Sequence, residues 1–180
     1  MKKLLSIFTI LIVIFAIHSC ENNDPVPEQP DPFSRDKESI KALMKSFQES
    51  IRTRNGAQMR KLFWNENIVW VGAGHPESHR FYQTLDPNIQ QVEQGGAYQF
   101  LDDPIYQGIA LEEVFFEPTI DTDGQVALAS FNYVFKVNGA ASNWGREYWQ
   151  LAKVGSDWKI LHLLYSYNAV EVKSVPPSLR

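Results

Sequence analysis

Two polar side chains in the C-terminal part of the sequence have the chemistry of a binding or catalytic site. His162 lies in an apolar stretch, and Arg146 stands beside aromatic residues. Imidazole titrates near neutral pH, so a histidine whose ring is held by a carboxylate or carbonyl can act as a general base. A hydrogen-bonded core histidine is the simpler interpretation. Arg146 could clamp a substrate carboxylate through two parallel hydrogen bonds, or pair with Glu147 or another acid.

Side-chain alternation along two neighbouring strands determines which residues can share a face. The two sets are Trp158, Ile160, His162, Leu164 and Ser166 on the last strand, and Arg146, Tyr148 and Gln150 on the strand before it. The hairpin register decides whether the sets meet. If Val154 pairs with Asp157, Trp149 lies opposite His162, whereas a register one residue different places Gln150 there. We favour Gln150, since this register surrounds His162 with polar side chains.

Two other groups of residues have side chains that could bind a metal or act as a carboxylate pair, but the sequence around them argues against such a site. His75 and His79 are four residues apart and would share one side of a helix, but Pro76 and the preceding glycines argue against a helix. Asp102 and Asp103 could form a carboxylate pair, although an exposed acidic turn before a strand is the simpler interpretation. We therefore predict no metal site and no cofactor.

The single cysteine, Cys20, follows a pattern typical of an exported protein. Two lysines precede an apolar run over residues 4–17, and the small Ser19 stands just before the cysteine. A spanning helix needs roughly 17 to 25 apolar residues, so a signal peptide over residues 1–19 is favoured over a transmembrane anchor. The sequence Ile-His-Ser-Cys at 17–20 resembles the bacterial lipobox. This resemblance implies a lipid such as palmitate on Cys20, and a membrane-anchored place in the bacterial cell envelope.

The composition predicts one acidic domain C-terminal to this signal peptide. The chain has 180 residues, 44% of them hydrophobic, with 17 Lys and Arg against 21 Asp and Glu. This is enough apolar material for one core, and it offers no basic surface for nucleic acid. Residues 20–33 are rich in proline and acids and predict an extended tether. We predict a domain over residues 34–173 and a flexible tail over residues 174–180.

Apolar spacing predicts helices at the start of this domain. The first begins at Ser34 or Asp36 and ends at Asn55-Gly56. Its apolar face consists of Ile40, Leu43, Met44, Phe47 and Ile51. A shorter helix follows over residues 57–63, and the pattern allows another over residues 87–93.

Strand-like segments make up most of the remainder. A short strand over residues 67–71 ends at Gly72 and Gly74. Four longer strands cover residues 106–120, 125–137, 144–154 and 158–168. Turns such as Asn138-Gly139 separate them, so they form an antiparallel meander. Helices followed by a meander predict an α+β fold, with the helices on one face of a curved sheet.

The order of these elements and four short motifs resemble the SnoaL-like branch of the NTF2-like superfamily, a cone-shaped α+β fold. The motifs are Ile68-Val69-Trp70-Val71-Gly72, Asp123-Gly124-Gln125-Val126-Ala127, Gly145-Arg146-Glu147-Tyr148 and Trp158-Lys159-Ile160-Leu161-His162-Leu163-Leu164-Tyr165-Ser166. The resemblance covers about residues 35–168. It implies a ligand pocket between the helices and the concave face of the sheet, with His162 and Arg146 facing it.

The resemblance also implies the other members of the pocket. The full predicted set is Trp70, Tyr133, Arg146, Tyr148, Gln150, Trp158, His162 and Ser166. The sequence departs from the branch where Leu164 replaces a second histidine and Tyr148 replaces a threonine. Ketosteroid isomerase, an enzyme of this fold, uses a tyrosine of its first helix and two aspartates. Here the first helix has no tyrosine, and Trp70 and Val71 stand where an aspartate would be sought.

Together these features predict a lipid-anchored domain that binds a small, partly apolar ligand in its cone. Two alternatives remain. One is a hydrolase, isomerase or cyclase-like enzyme with His162 as general base, and the other is a structural or partner-binding domain without an active pocket. Members of the superfamily commonly pair their sheets, and the aromatic residues expected on the outer face predict a homodimer. These aromatic residues are Tyr165 and Tyr167 with Phe131 or Phe135.

Overall fold

Helix α1 (Ser34–Arg52) has the apolar face that its spacing predicts. In the computed structural model, which describes residues 30–96, 101 and 107–180, its buried apolar residues are Ile40, Leu43, Met44, Phe47 and Ile51. Asp36 holds the start of the helix to the sheet, because its Oδ1 accepts hydrogen bonds from Lys153 Nζ at 2.7 Å and Trp158 Nε1 at 3.0 Å. Asp36 therefore makes a tertiary contact, and no side chain of the described residues caps the start of α1.

Helix α2 (Gly56–Leu62) follows almost at once. Arg54 adopts the left-handed conformation after α1, with φ 52°. Asn55 caps α2 instead, since its side chain accepts a hydrogen bond from Gln58 N at 2.9 Å. The stop that we expected at Asn55-Gly56 is thus the start of the second helix.

In the described part of the chain, six strands form one sheet. They are β1 (Val69–Gly74), β2 (Val92–Gly96), β3 (Leu111–Thr122), β4 (Val126–Val137), β5 (Ala140–Val154) and β6 (Asp157–Ala169). Their order across the sheet is β2-β1-β6-β5-β4-β3. β1 runs parallel to β6, and the other neighbouring pairs are antiparallel. Helices packed on a largely antiparallel sheet confirm the predicted α+β class.

The first strand continues through the two glycines at which we expected it to end. Tyr165 and Tyr167 lie where side chains at these positions would stand. A Cβ added to Gly72 would lie 2.5 Å from the Tyr165 hydroxyl, and one added to Gly74 would lie 2.7 Å from the Tyr167 hydroxyl. Each glycine of β1 therefore admits a tyrosine ring from β6.

Helix α3 (Pro76–Leu85) lies earlier than the helix that the sequence pattern allows at residues 87–93. Pro76 occupies its first turn, where a missing backbone N–H breaks no hydrogen bond. Residues 87–91 are not helical, and β2 begins at Val92. The proline that argued against a helix is the residue that starts one.

A bulge in β6 reverses the side-chain phase within the strand. Gln150 pairs with His162, whereas the next residue of β5 pairs with Ile160, so Leu161 is an extra residue. Ile160 before the bulge and Leu163 after it are both fully buried. His162 therefore points away from the core.

The core lies between α1 and the inner face of the sheet, which is the face that α1 covers. Phe47 stands at its centre, with its ring centroid 4.8 Å from that of Trp149, 5.8 Å from Trp70 and 6.0 Å from Phe115. Every residue of this core cluster lies within the compact unit Asp31–Arg180. The apolar core is therefore built from residues of this unit.

The C-terminal segment packs on the domain rather than forming the flexible tail that we expected over residues 174–180. A 3-10 helix spans Pro177–Leu179, and Leu179 is buried. Within the described residues, no helix is long and apolar enough to span a membrane. Cys20 with the rest of residues 1–29, and Asp102 and Asp103, lie outside the described residues.

Candidate functional site

A cavity of about 240 Å³ opens on the inner face of the sheet. All six strands contribute to it. Its lining consists of Trp70, Glu93, Gln94, Gly95, Glu113, Tyr133, Phe135, Asn143, Glu147 and Tyr165. The residues from β2 are exposed and stand at its mouth, whereas Glu113, Tyr133 and Glu147 are buried at its inner end. A concave, partly apolar space with a few convergent polar groups is the usual form of a small-molecule site.

Aromatic rings form much of the cavity wall. Tyr165 lies between two others, with its centroid 6.2 Å from Trp70 and 6.2 Å from Tyr133, and with interplanar angles of 84° and 78°. The Tyr133 hydroxyl lies 3.1 Å from both Asn143 Oδ1 and the Ser166 backbone oxygen, so it can donate to either. These perpendicular ring pairs surround an apolar space that has hydrogen-bonding groups at one side.

Two buried glutamates form the polar end of the cavity. Glu113 on β3 is 6% exposed and Glu147 on β5 is 1% exposed. Their carboxyl groups are hydrogen-bonded to each other, and Trp149 Nε1 donates a hydrogen bond to Glu147 Oε2. A carboxyl–carboxyl hydrogen bond requires a proton between the groups, so the pair holds at least one.

Burial determines the ionisation of this pair. It raises the pKa of Glu113 well above the ordinary range, and the charge on Glu147 raises it further. Burial also raises the pKa of Glu147, to about 7, although hydrogen bonds from Trp149 and Glu113 offset part of this effect. Near neutral pH, Glu113 is therefore the proton donor of the pair, and Glu147 changes between acid and carboxylate.

The strand pattern explains how acids come to lie in the core. Glu113 alternates with Leu111 and Phe115 on β3, and Glu147 alternates with Trp149 on β5, so both acids occupy positions of the buried phase. Sequence reasoning missed Glu113 and treated Glu147 only as a partner for Arg146. The signal for Glu113 was two large apolar residues at the positions two away, Leu111 and Phe115, and for Glu147 it was Trp149 on one side only.

The structure places two of the predicted pocket residues in this cavity. Trp70 and Tyr133 line it. Trp158 is buried elsewhere in the core, where its Nε1 donates to Asp36. The other members, Arg146, Tyr148, Gln150, His162 and Ser166, share the outer face of the sheet.

This placement corrects the expected orientation of His162 and Arg146. Glu147 and Trp149 point inward, so the residues that alternate with them on β5 point outward. Gln150 lies opposite His162, as predicted. Val154 pairs with Asp157, so this pairing is produced not by the turn but by the bulge at Leu161. It carries His162 to the outer face together with Arg146, and the sheet separates both from the cavity.

Arg146 makes its contacts on that outer face. Its Nη2 donates to Ser130 Oγ at 3.1 Å, and its guanidinium lies 5.5 Å from the centroid of the Tyr148 ring. Glu147 points to the opposite face, so it is not the partner of Arg146. Conversely, the aromatic residues expected outside lie on the inner side of the sheet: Phe131, Phe135, Tyr165 and Tyr167.

The histidines near α3 are not arranged as a metal site. His75 precedes the helix, and His79 Nε2 donates to the Ile89 backbone oxygen at 3.0 Å. Among the residues that the structure describes, no cluster of three His, Cys, Asp or Glu side chains could hold a metal ion.

Solved structures of low sequence identity share this architecture. A protein of unknown function with a cystatin-like fold from Nostoc punctiforme is 13% identical, with a TM-score of 0.53 over 81% of this chain and 95% of its own. An NTF2-like superfamily protein from Salmonella enterica is 21% identical, with a TM-score of 0.52 over 76% of this chain and 93% of its own. LinA is 8% identical, with a TM-score of 0.54 over 74% of this chain and 86% of its own.

Sequence comparison adds nothing more specific. No protein-family model matches the chain, and no curated protein matches it. At identities this low, the likeness concerns the fold and not the activity. The helices, the sheet and the likeness to these solved structures together show that this chain has the NTF2-like, cystatin-like α+β fold.

Proposed function

We propose that this domain binds a small, partly apolar ligand in the cavity on the inner face of its sheet. The observation that carries the proposal is the combination of aromatic walls with a buried, hydrogen-bonded pair of carboxyl groups. Trp70, Tyr133 and Tyr165 provide apolar area, and the Glu113–Glu147 pair offers a hydrogen-bond donor and an acceptor. A ligand that is apolar at one end and polar at the other matches this distribution.

Replacing Trp70 should separate cavity binding from binding elsewhere. We expect small aromatic or alicyclic compounds that stabilise the domain from Asp31 onward to bind Trp70→Leu about tenfold more weakly, because a ring of the wall is lost. Trp64→Leu is the matched control, since Trp64 is 61% exposed and outside the cavity lining. Thermal shift and tryptophan fluorescence titrations measure both. Loss of binding in His162→Ala or Arg146→Ala, with Trp70→Leu unaffected, would place the site on the outer face instead.

An acid–base enzyme is the second candidate, and the pKa of Glu147 favours it. A carboxyl group with a pKa of about 7 can both take and give a proton under physiological conditions. Glu147, supported by Glu113, replaces His162 as the general base of this hypothesis, because His162 lies across the sheet from the cavity. A hydrolase, isomerase or cyclase-like reaction would then lose its rate in Glu147→Gln while ligand binding persists.

We further propose that the domain is exported and anchored in the bacterial envelope by lipid on Cys20. The support is the order of two lysines, an apolar run, Ser19 and Cys20. Expression of the full chain in a bacterium with labelled palmitate should give a labelled protein in the membrane fraction. Cys20→Ser should lose the label and the membrane association, since acyl chains provide the anchor. A label that persists in Cys20→Ser would contradict the proposal.

The outer face of the sheet is the proposed homodimer surface. Leu128, Tyr148 and Leu164 lie on β4, β5 and β6 of this face and are 57%, 48% and 39% exposed. A second copy would cover these side chains by the same surface, as a two-fold dimer requires. We expect light scattering to give a dimer for the domain from Asp31 onward and a monomer for Leu164→Glu, whereas Leu85→Glu, on α3, should remain dimeric. A monomeric parent would refute the proposal.

A further inference from the structure

The ionisable side chains that line the cavity are acids or phenols in the described part of the chain. Glu93 stands at the mouth, and Glu113 and Glu147 form the buried pair. No Lys, Arg or His of the described residues belongs to the lining. Because the pair is almost entirely removed from water, ionisation of Glu147 leaves a charge with little solvent to stabilise it. A ligand with positive charge would supply that stabilisation.

The aromatic wall is suited to the same kind of ligand. The faces of Trp and Tyr rings carry negative electrostatic potential and attract ammonium groups. Trp70 and Tyr133 are each nearly perpendicular to Tyr165, so the three rings present faces in different directions around one space. Rings and carboxyl groups therefore favour the same sign of charge.

We propose that the cavity selects a small organic cation, an amine with an apolar body, whose ammonium group lies against the Glu113–Glu147 pair. The proposal rests on the function proposed above and narrows it to one chemical class of ligand. Each contact has a defined donor and acceptor: the ammonium N–H groups donate to the Glu147 carboxylate. The apolar body of the amine packs against the aromatic wall.

Binding of such a cation should depend on pH. A proton on Glu147 competes with the ammonium group, so affinity rises as Glu147 ionises. The other groups around Glu147 are Glu113 on β3, Tyr133 on β4, Tyr165 on β6, Glu93 on β2 and the Trp149 indole on its own strand. Raised pKa values keep both phenols neutral in the physiological range, and Glu93 is exposed at the mouth. Glu147 is therefore the group whose ionisation should control binding.

The test uses three probes of nearly equal size and different charge. Phenethylamine is cationic, 2-phenylethanol is neutral and phenylacetate is anionic, and their binding to the domain from Asp31 onward is measured by calorimetry at pH 6 and pH 8. We expect the amine to bind about tenfold or more tightly than the alcohol at pH 8, as for a hydrogen bond to a charged group. We expect this preference to shrink at pH 6 and to disappear in Glu147→Gln. Glu66→Gln, an exposed site, should behave as the parent does.

Each other outcome has a separate meaning. If the alcohol binds as tightly as the amine, or if the amine binds equally well in Glu147→Gln, the inference of a cationic ligand is wrong and cavity binding still stands. Amine binding that is equal at pH 6 and pH 8 overturns the role of Glu147. If neither these probes nor the aromatic and alicyclic compounds bind, both the inference and the proposed function fail.

Discussion

Raising the pH from about 5 to 8 should lower the free energy of unfolding by about 3 kcal/mol through Glu147 alone. Its pKa is about 7 in the folded protein and close to the ordinary 4.5 when the chain unfolds. Between these values the folded state keeps a proton that the unfolded state has lost, so stability falls as the pH rises. Below about 4.5 both states are protonated, and the contribution is fully present.

The buried pair makes this pH dependence opposite in direction to that of the surface carboxylates. Ion pairs and hydrogen bonds lower the pKa values of Asp31, Asp36, Glu49 and Asp123. Such groups contribute stability above their unfolded pKa values, and this contribution is lost only when the pH falls through the lowered values. The loss between pH 5 and 8 should therefore come from the buried pair.

Isosteric amides should show which groups are responsible. Glu147→Gln should unfold with a weaker pH dependence than the parent and be more stable at pH 8, because it removes a buried charge and retains a carbonyl for Trp149. The double variant Glu113→Gln with Glu147→Gln should be nearly independent of pH in this range. Urea unfolding at pH 5, 6, 7 and 8 measures the effect, with exposed Glu66→Gln as control. If the parent and the double variant have parallel pH profiles, the pair is not buried as a proton-sharing unit.

Gly145→Ala should be the most destabilising small substitution, with a loss of about 3 kcal/mol or more. A Cβ at this position would overlap the Ser166 backbone oxygen and would lie 2.7 Å from its carbonyl carbon. Backbone atoms of a paired strand cannot turn aside as a side chain can, so β5 and β6 would have to separate locally. The Tyr133 ring, whose Cε1 would lie 3.1 Å from the new methyl group, closes the other side.

A second glycine of the sheet serves as the matched control. Among the described residues, no atom lies within 4 Å of a Cβ added to Gly95 on β2, so Gly95→Ala should change stability by less than about 0.5 kcal/mol. Chemical denaturation of both variants measures the difference. A Gly145→Ala protein as stable as Gly95→Ala would mean that β5 and β6 do not approach as closely as described.

The change at Gly145 should also affect the cavity. Asn143 and Glu147, two residues away on either side, both line it. Displacement of β5 would move the carboxyl pair relative to the aromatic wall. A destabilised but folded Gly145→Ala protein should therefore bind cavity ligands more weakly than its loss of stability alone predicts. Ligand binding by Gly95→Ala shows whether a substitution at the cavity mouth weakens binding to the same extent.

Local patterns predicted most of the elements that position the site. The apolar face of α1 and the alternation in β4 and β5 depend on nearest neighbours along the chain, and both are confirmed. The pairing of Gln150 with His162 was expected from the turn, but Val154 pairs with Asp157, which alone would place Trp149 opposite His162. The extra residue Leu161 shifts the register by one and brings Gln150 there. The predictions were wrong where the structure of a segment depends on residues that are distant in the sequence.

The glycines of β1 and the proline of α3 are examples of such errors. Gly72 looked like the end of a strand, but it faces a Tyr165 ring that is far away in sequence. Pro76 looked like a helix breaker, but it occupies the first turn, where proline is favoured. Each residue type allows two local structures, and only its neighbours in space select one.

The sequence by itself determined the α+β class and the principal helices and strands. These features follow from periodicity and turn chemistry, which act over a few residues. Only the tertiary structure decided which face of the sheet is inside. One extra residue, Leu161, turns His162 outward, while the packing of Trp149 against Phe47 turns Glu147 inward to meet Glu113. A strand has two faces of equal local geometry, so the choice between them depends on what the rest of the chain buries.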